Sequence, residues 1–443
     1  MKKLFVFALS IAATASLSAE SIKIFKCSEE GIPGQTEPEL MGLSISSNGK
    51  FICGTIQSGS GGFSADCQTG EVKWMIADET GGEFRGISNN GIAIGFMDAD
   101  GVKVPFDTME AEVLKAPYGV RTVQGESISE DGSVMVGSFT EETFDVIAAY
   151  SANGSDWKKL PMPSEAELGD LKELLNDFSA AKYVSADGKV ILGHLGSFTF
   201  PIIWILNENG EYVPDFFPAR FVKASDEDVA DDSKELLGMA AFYTCLSSNG
   251  KYVGALGTLS DDNGGYRLVP VIYNTEDKTL KIYKEHQDID YLDLGLYPRA
   301  IADDGTFIGM IGVSLIDGAG CFIMRAGEDT AELFVDAFPE YAEMFGPSDE
   351  VGYTVPTGIS ADGKKILCYT FYSSDLYEGD DPAYYVTYLI DTDTNGVEEI
   401  KSSSRLHASD AVYSIDGRKL QGITKGINIV RNPDGSVSKI LKN

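Results

Sequence analysis

Histidine, tryptophan and basic residues are scarce in this chain. Its 443 residues include 3 His, 3 Trp and 35 Lys plus Arg, against 68 Asp plus Glu. The histidines, His194, His286 and His407, form no pattern with serine and aspartate that nominates a Ser-His-Asp arrangement. A net charge of −33 argues against binding nucleic acid or an anionic membrane through phosphate contacts. Six cysteines are present without a single C-x-x-C, so the usual zinc and disulfide-scaffold spacings are absent. No apolar run is long enough for a transmembrane helix. No cofactor is called for, and a monomer is expected.

What is present begins with an export signal. Lys2 and Lys3 precede an apolar run from Leu4 to Ala13, and small residues follow to Ala19. Residues 1–19 therefore read as a secretory signal peptide. The expected destination is the periplasm, the cell surface or the medium, where acidic surface charge keeps a protein soluble.

The mature chain is dominated by a repeat. Seven segments share one pattern: an apolar residue, Ser, any residue, Asp or Asn, then Gly, and an apolar strand that often ends in Gly. Examples are GLSISSNGKFICG (42–54), ESISEDGSVMVG (126–137) and TGISADGKKILC (357–368). The turn glycines are Gly49, Gly91, Gly132, Gly188, Gly250, Gly305 and Gly363, separated by 41 to 62 residues. Asp-Gly and Asn-Gly supply the positive φ of a tight hairpin. The Ser can hydrogen-bond the turn backbone, although Ala302 stands there in repeat six. A second hairpin follows every first one, as in PIIWILNENGEYV (201–213) and YYVTYLIDTDTNGVEEI (384–400). Four strands per unit, repeated seven times, predict an all-β, seven-bladed β-propeller over residues 20–403. Residues 21–28 form an extra strand available to pair with the last blade.

The repeat resembles the HAF-type extracellular repeat of exported bacterial β-proteins and the S-x-D-G turn of TolB-like propellers. That resemblance implies the fold rather than an activity. Residues 404–443 break from the repeat and form a short C-terminal β appendage. Their VYSIDGRKL (412–420), KGINIV (425–430) and terminal KILKN resemble the end of a type IX secretion sorting domain of Bacteroidetes. The resemblance implies an exported, surface-attached protein.

Strand order puts the uniform a–b turns on one face and the long b–c and d–a connections on the other. Insertions at 161–180, 214–240, 284–297, 336–355 and 370–382 all fall on the second face. Loops of that kind usually carry binding, here of a protein or a glycan. Residues 163–177 and 338–345 read as helices, the first capped by Ser164. Seven positions three residues before the repeat Ser are taken to begin strand a at the channel mouth of the loop-rich face. They are Leu43, Arg85, Glu126, Lys182, Thr244, Arg299 and Thr357. Arg85 and Arg299 could hold a polar ligand or carboxylate; the plainer expectation is salt bridges between blades. Loop aromatics, including Phe216, Phe217, Tyr291, Tyr297, Phe371, Tyr372 and Tyr377, suit stacking on a sugar or packing against the scaffold.

Two further features are specific enough to test. Asp391, Asp393 and Asn395 match the opening of a calcium loop, but Ser402 stands where the bidentate Glu belongs, so calcium is a weak candidate. Cys53 and Cys67 flank a Gly-rich turn, and a hairpin centred on Ser60 would place them opposite each other in a disulfide. No catalytic residue is nominated. The first functional reading is a non-enzymatic binding or scaffold propeller acting through its loop-rich face. The second is a glycan binder or glycoside hydrolase, and the third a cell-surface adhesion protein.

Overall fold

The computed structural model describes residues 22–25, 40–56, 59–176, 178–196, 200–223, 235–260, 265–283, 296–311, 320–338, 351–372 and 384–392. It also describes, in the backbone alone, 398–399, 411–414, 419–420, 426–431 and 437–442. Two compact units emerge: Lys23–Ile390, and a second that takes Met1–Ile22 and Asp391–Asn443.

The first unit is a seven-bladed β-propeller of four-stranded antiparallel sheets. Blade three is representative, with strand a at Val120–Ile128, b at Val134–Glu141, c at Val146–Ala152 and d at Lys158–Lys159. The seven turn glycines all have positive φ, from +65° at Gly49 to +93° at Gly305. In blade three Ser129 Oγ donates to Asp131 Oδ1 at 2.8 Å and accepts the N–H of Val134 at 2.9 Å. The same pair of bonds recurs at Ser46, Ser88, Ser185, Ser247 and Ser360. Where blade six has Ala302, Thr306 replaces the missing hydroxyl and donates to Asp304.

The seventh blade departs from the expected in-series pattern. Its strands a, b and c are Val351–Ile359, Lys365–Tyr372 and Tyr384–Asp391, but its outermost strand is Ile22–Phe25 from the other end of the chain. Residues 384–400 therefore do not form the blade's own c–d hairpin. Glu398–Glu399 instead pairs in parallel with Val437–Lys442 in the second unit. Phe25 joins Leu40, Ile52, Phe63, Leu367 and Leu389 in one core cluster, so apolar burial ties first and last blades together. A polar seam adds to it: Thr387 Oγ1 accepts the N–H of Gly42 at 2.7 Å and donates to the Leu40 carbonyl at 2.6 Å.

The helical expectation over 163–177 is met only in pieces. Ser164 caps Glu165–Leu168 in a capping box with Glu167, and a 3-10 turn runs from Gly169 to Leu174. Gly169, at φ +55°, separates the two. Leu171 is buried in the core cluster of Leu160 and Trp204, so this segment packs on the propeller. Residues 339–345 of the second expected helix lie outside the described residues.

The second unit holds a five-stranded sheet. Its order is Glu398–Glu399, Val437–Lys442, Gly426–Arg431, Ala411–Ser414, Lys419–Leu420. All its pairings but the first are antiparallel.

Candidate functional site

Every strand a breaks register at the position the repeat marks. In blades one to four the pairing skips Leu43, Arg85, Glu126 and Lys182; in blades six and seven it skips Arg299 and Thr357. Blade five has a wider break, between Ala240 and Cys245, which includes Phe242 and Thr244. A β-bulge turns its extra residue out of the pleat and re-aims the side chain. All seven marked residues line one central channel of about 560 Å³.

These residues do not begin strand a. Arg85 is fourth in Gly82–Ile87 and Glu126 seventh in Val120–Ile128. Strand a runs from the loop-rich face towards the a–b turn, so the charged positions sit nearer the plain face. Ser47, Glu130, Ala186 and Ser248 of the a–b turns line the same channel.

The glycine expected to end strand b lies inside it, as Gly54 does in Phe51–Ile56 and Gly137 in Val134–Glu141, and its cause is here. A Cβ at Gly54, Gly95, Gly137, Gly193 or Gly309 would collide with a strand-a carbonyl, that of Met41, Glu83, Gln124, Ala180 or Tyr297. In these five blades the two backbones lie too close for a side chain, whereas in blade seven Cys368 occupies the equivalent position.

The turn position that tolerates any residue closes a ring around the channel. Asn89 N–H donates to Glu130 O, Glu130 to Ala186 O, Ala186 to Ser248 O, Asp303 to Ala361 O, and Ala361 to Ser47 O. Two side chains complete it: Asn89 Oδ1 accepts from Asn48 N–H at 3.0 Å, and Asp303 Oδ1 from Asn249 N–H at 2.7 Å. The bonds are mostly backbone, so residue identity there carried little signal.

Charge is unevenly satisfied. Glu126, only 9% exposed, accepts at Oε1 from Arg85 Nη1 at 2.5 Å and from Lys182 Nζ at 2.8 Å. Arg85 Nε also pairs with Glu83, and its guanidinium lies 4.9 Å from the Phe96 ring centre. Three blades are thus stapled by an acid-base chain, and for Arg85 and Lys182 the salt-bridge expectation holds. Arg299, in blade six, is different: its guanidinium enters no ion pair or hydrogen bond among the described residues.

Two titratable groups of the channel are shifted far from neutrality. Burial pushes the Cys245 thiol up to about 12, so no thiolate nucleophile exists near neutrality. Burial, helped by the Lys182 charge, drops the His194 imidazole to about 4, which makes it a weak base. Glu83, Glu126 and Glu130 are each bonded, the last to Ser47 and Asn89.

The remaining sequence expectations divide. Tyr297 is 2% exposed, packed edge-on to Tyr243, and does not line the channel; Phe216 and Phe217 are also buried. Packing against the scaffold therefore claims all three. Phe371 is half-buried between Tyr353 and Tyr385, with ring centres 5.2 and 5.0 Å away. Tyr291 and Tyr377 lie outside the described residues, as does the side chain of Tyr372. So do Asp393 and Asn395 of the calcium candidate. Among the described residues, no group of three His, Cys, Asp or Glu could hold a metal ion.

The disulfide expectation fails. Phe51 pairs with Asp66 and Ile56 with Gly61, which centres the hairpin between residues 58 and 59, not on Ser60. Cys53 consequently faces Ser64, while Cys67 donates its N–H to Lys50 O. An offset of three puts the two thiols on opposite faces of the sheet. Both are free and buried, in separate core clusters.

No family model matches the chain, and no curated protein matches it. Among solved structures it is similar to an oligogalacturonate lyase from Vibrio parahaemolyticus at 12% identity. The match covers 84% of this chain and 96% of that one, with TM-score 0.48. It is also similar to the Kuenenia stuttgartiensis hydrazine synthase, at 13% identity over 76% and 95% of the chains, TM-score 0.43. TolB from Acinetobacter baumannii matches at 12% identity over 65% and 63%, TM-score 0.39. Likeness at this level concerns the fold alone.

Proposed function

We propose that the protein is an exported, non-enzymatic binding propeller that receives a small ligand in its central channel. One observation carries this reading: a one-residue bulge in six blades and a wider break in blade five turn side chains into the same space, which a purely structural propeller does not require. The volume of about 560 Å³ falls within the range of small-molecule sites. The protonated Cys245 and weakly basic His194 favour binding over chemistry. Export rests on the N-terminal sequence, and surface attachment on the sorting-like tail.

A second reading, glycan binding, is favoured by the half-buried Tyr353–Phe371–Tyr385 stack at the b–c end of blade seven. There the partner would meet the loop-rich face.

Equilibrium dialysis against a pooled small-molecule library, read by mass spectrometry, tests the channel. Leu43→Trp fills the space from the blade-one bulge, and its melting temperature checks that the fold survives. Compounds retained by the native protein should be lost from this variant. Equal retention by both would refute the channel as the site, and retention of glycans alone by both would favour the aromatic stack.

A further inference from the structure

We infer that the channel holds a small organic oxyanion, a carboxylate or phosphate monoester, with its charge on Arg299 and a hydrogen-bond donor beside it. This rests on the channel reading and names the chemistry of its ligand.

The argument starts from what each wall has left to offer. In the wall made by blades two to four, Glu83, Arg85, Glu126 and Lys182 bond one another in series and cancel in charge, while Glu130 is held by Ser47 and Asn89. Blade six faces it across the seven-fold ring, and among the described residues none takes the guanidinium donors of Arg299 there. Five N–H groups in a planar fork match a carboxylate or phosphate. Inside a narrow channel such a pairing is stronger than in open water.

The neighbours of Arg299 narrow the ligand further. In blade five Thr244 Oγ1 donates to Ala241 O at 3.3 Å; in blade seven Thr357 Oγ1 donates to Gly42 O at 2.8 Å. Each hydroxyl has spent its hydrogen and retains only acceptor capacity. These threonines therefore welcome a hydroxyl or N–H on the ligand, not its anion. An apolar surface is available too: Tyr183 is 38% exposed and lines the channel. The net charge of −33 repels anions at long range, but a contact at Arg299 lies well inside the screening length.

Mandelate carries all three features. Phenylacetate lacks the hydroxyl, phenyl phosphate exchanges the anion, and 1-phenyl-1,2-ethanediol removes the charge. Titration of the full-length exported protein by calorimetry should show saturable binding of mandelate, weaker binding of phenylacetate and none of the diol. The stronger of phenylacetate and phenyl phosphate, which both lack that hydroxyl, identifies the preferred anion as carboxylate or phosphate. Arg299→Gln should weaken the anions at least about tenfold, and Arg299→Lys should restore part of the loss. Phenylglyoxal provides a readout that needs no variant: Arg299 should be modified faster than the paired Arg85, and bound mandelate should slow it.

Binding of neither anion by the native protein overturns the inference, as does binding that survives Arg299→Gln. If library compounds are lost from Leu43→Trp yet still bind Arg299→Gln, the channel reading stands and the anion assignment falls. If Leu43→Trp retains them all, the channel reading itself falls.

Discussion

The Arg85 guanidinium of blade two bonds the Glu126 carboxylate of blade three at 2.5 Å inside the channel. Both side chains are there because strand a bulges at each of them. A single backbone irregularity, repeated, thus builds a bond between blades and a lined cavity.

Removing Glu126 should therefore loosen three blades at once. Glu126→Ala leaves Arg85 and Lys182 facing each other without their shared anion. Both cations are partly exposed, so the cost should be about 2 kcal/mol, below that of a fully buried pair. Urea denaturation measures it, and the double variant with Arg85→Gln should cost less than the sum of the singles.

The strand-b glycines can be tested against a control of the same chemistry. A Cβ at Gly137 meets the Gln124 carbonyl, whereas one at Gly238 meets only Thr258 at ordinary contact distance. Gly137→Ala should destabilise by about 2 to 3 kcal/mol, and Gly238→Ala should stay within about 0.5 kcal/mol of the native protein.

Closure depends on the N-terminal strand. Phe25→Ala empties a buried site in the cluster shared by the first and last blades and should cost about 3 to 4 kcal/mol. Thr387→Val strands the Gly42 N–H and should cost about 1 to 2 kcal/mol. In both, hydrogen exchange should quicken first in Tyr384–Asp391, the strand that pairs with Ile22–Phe25.

Stability should fall on mild acidification. The native His194 binds a proton only near pH 4, while the unfolded chain binds it near the ordinary value of 6.5. Below pH 6.5 the unfolded state therefore holds more protons, and stability drops until about pH 4, by about 3 kcal/mol in all. Above pH 6.5 the contribution is constant. His194→Leu should flatten this part of the pH profile in denaturant titrations.

The five described cysteines should be silent in the native protein. All are buried, and burial holds the thiols of Cys67 and Cys245 up at about 12. Ellman's reagent should label them only after unfolding, and peptide mapping should find Cys53 and Cys67 as free thiols.

The turn motif by itself determined the blade count, because Asp-Gly and Asn-Gly act within four residues and need no distant partner. It also marked Arg85, Glu126, Lys182 and Arg299 by their fixed offset from the repeat Ser. Their depth, and the end of the channel they face, depended on where strand a begins, which no local signal specifies. Cys53 and Cys67 show the same limit: a hairpin register displaced by three residues separated two thiols that seemed opposed in the sequence. Ile22–Phe25 closes the seventh blade because the propeller brings the two ends of its chain together. That is a contact between residues more than 350 apart, and only the tertiary structure decides it. The split between Arg85, paired, and Arg299, without an ion pair among the described residues, is likewise set by which blade stands next in the ring.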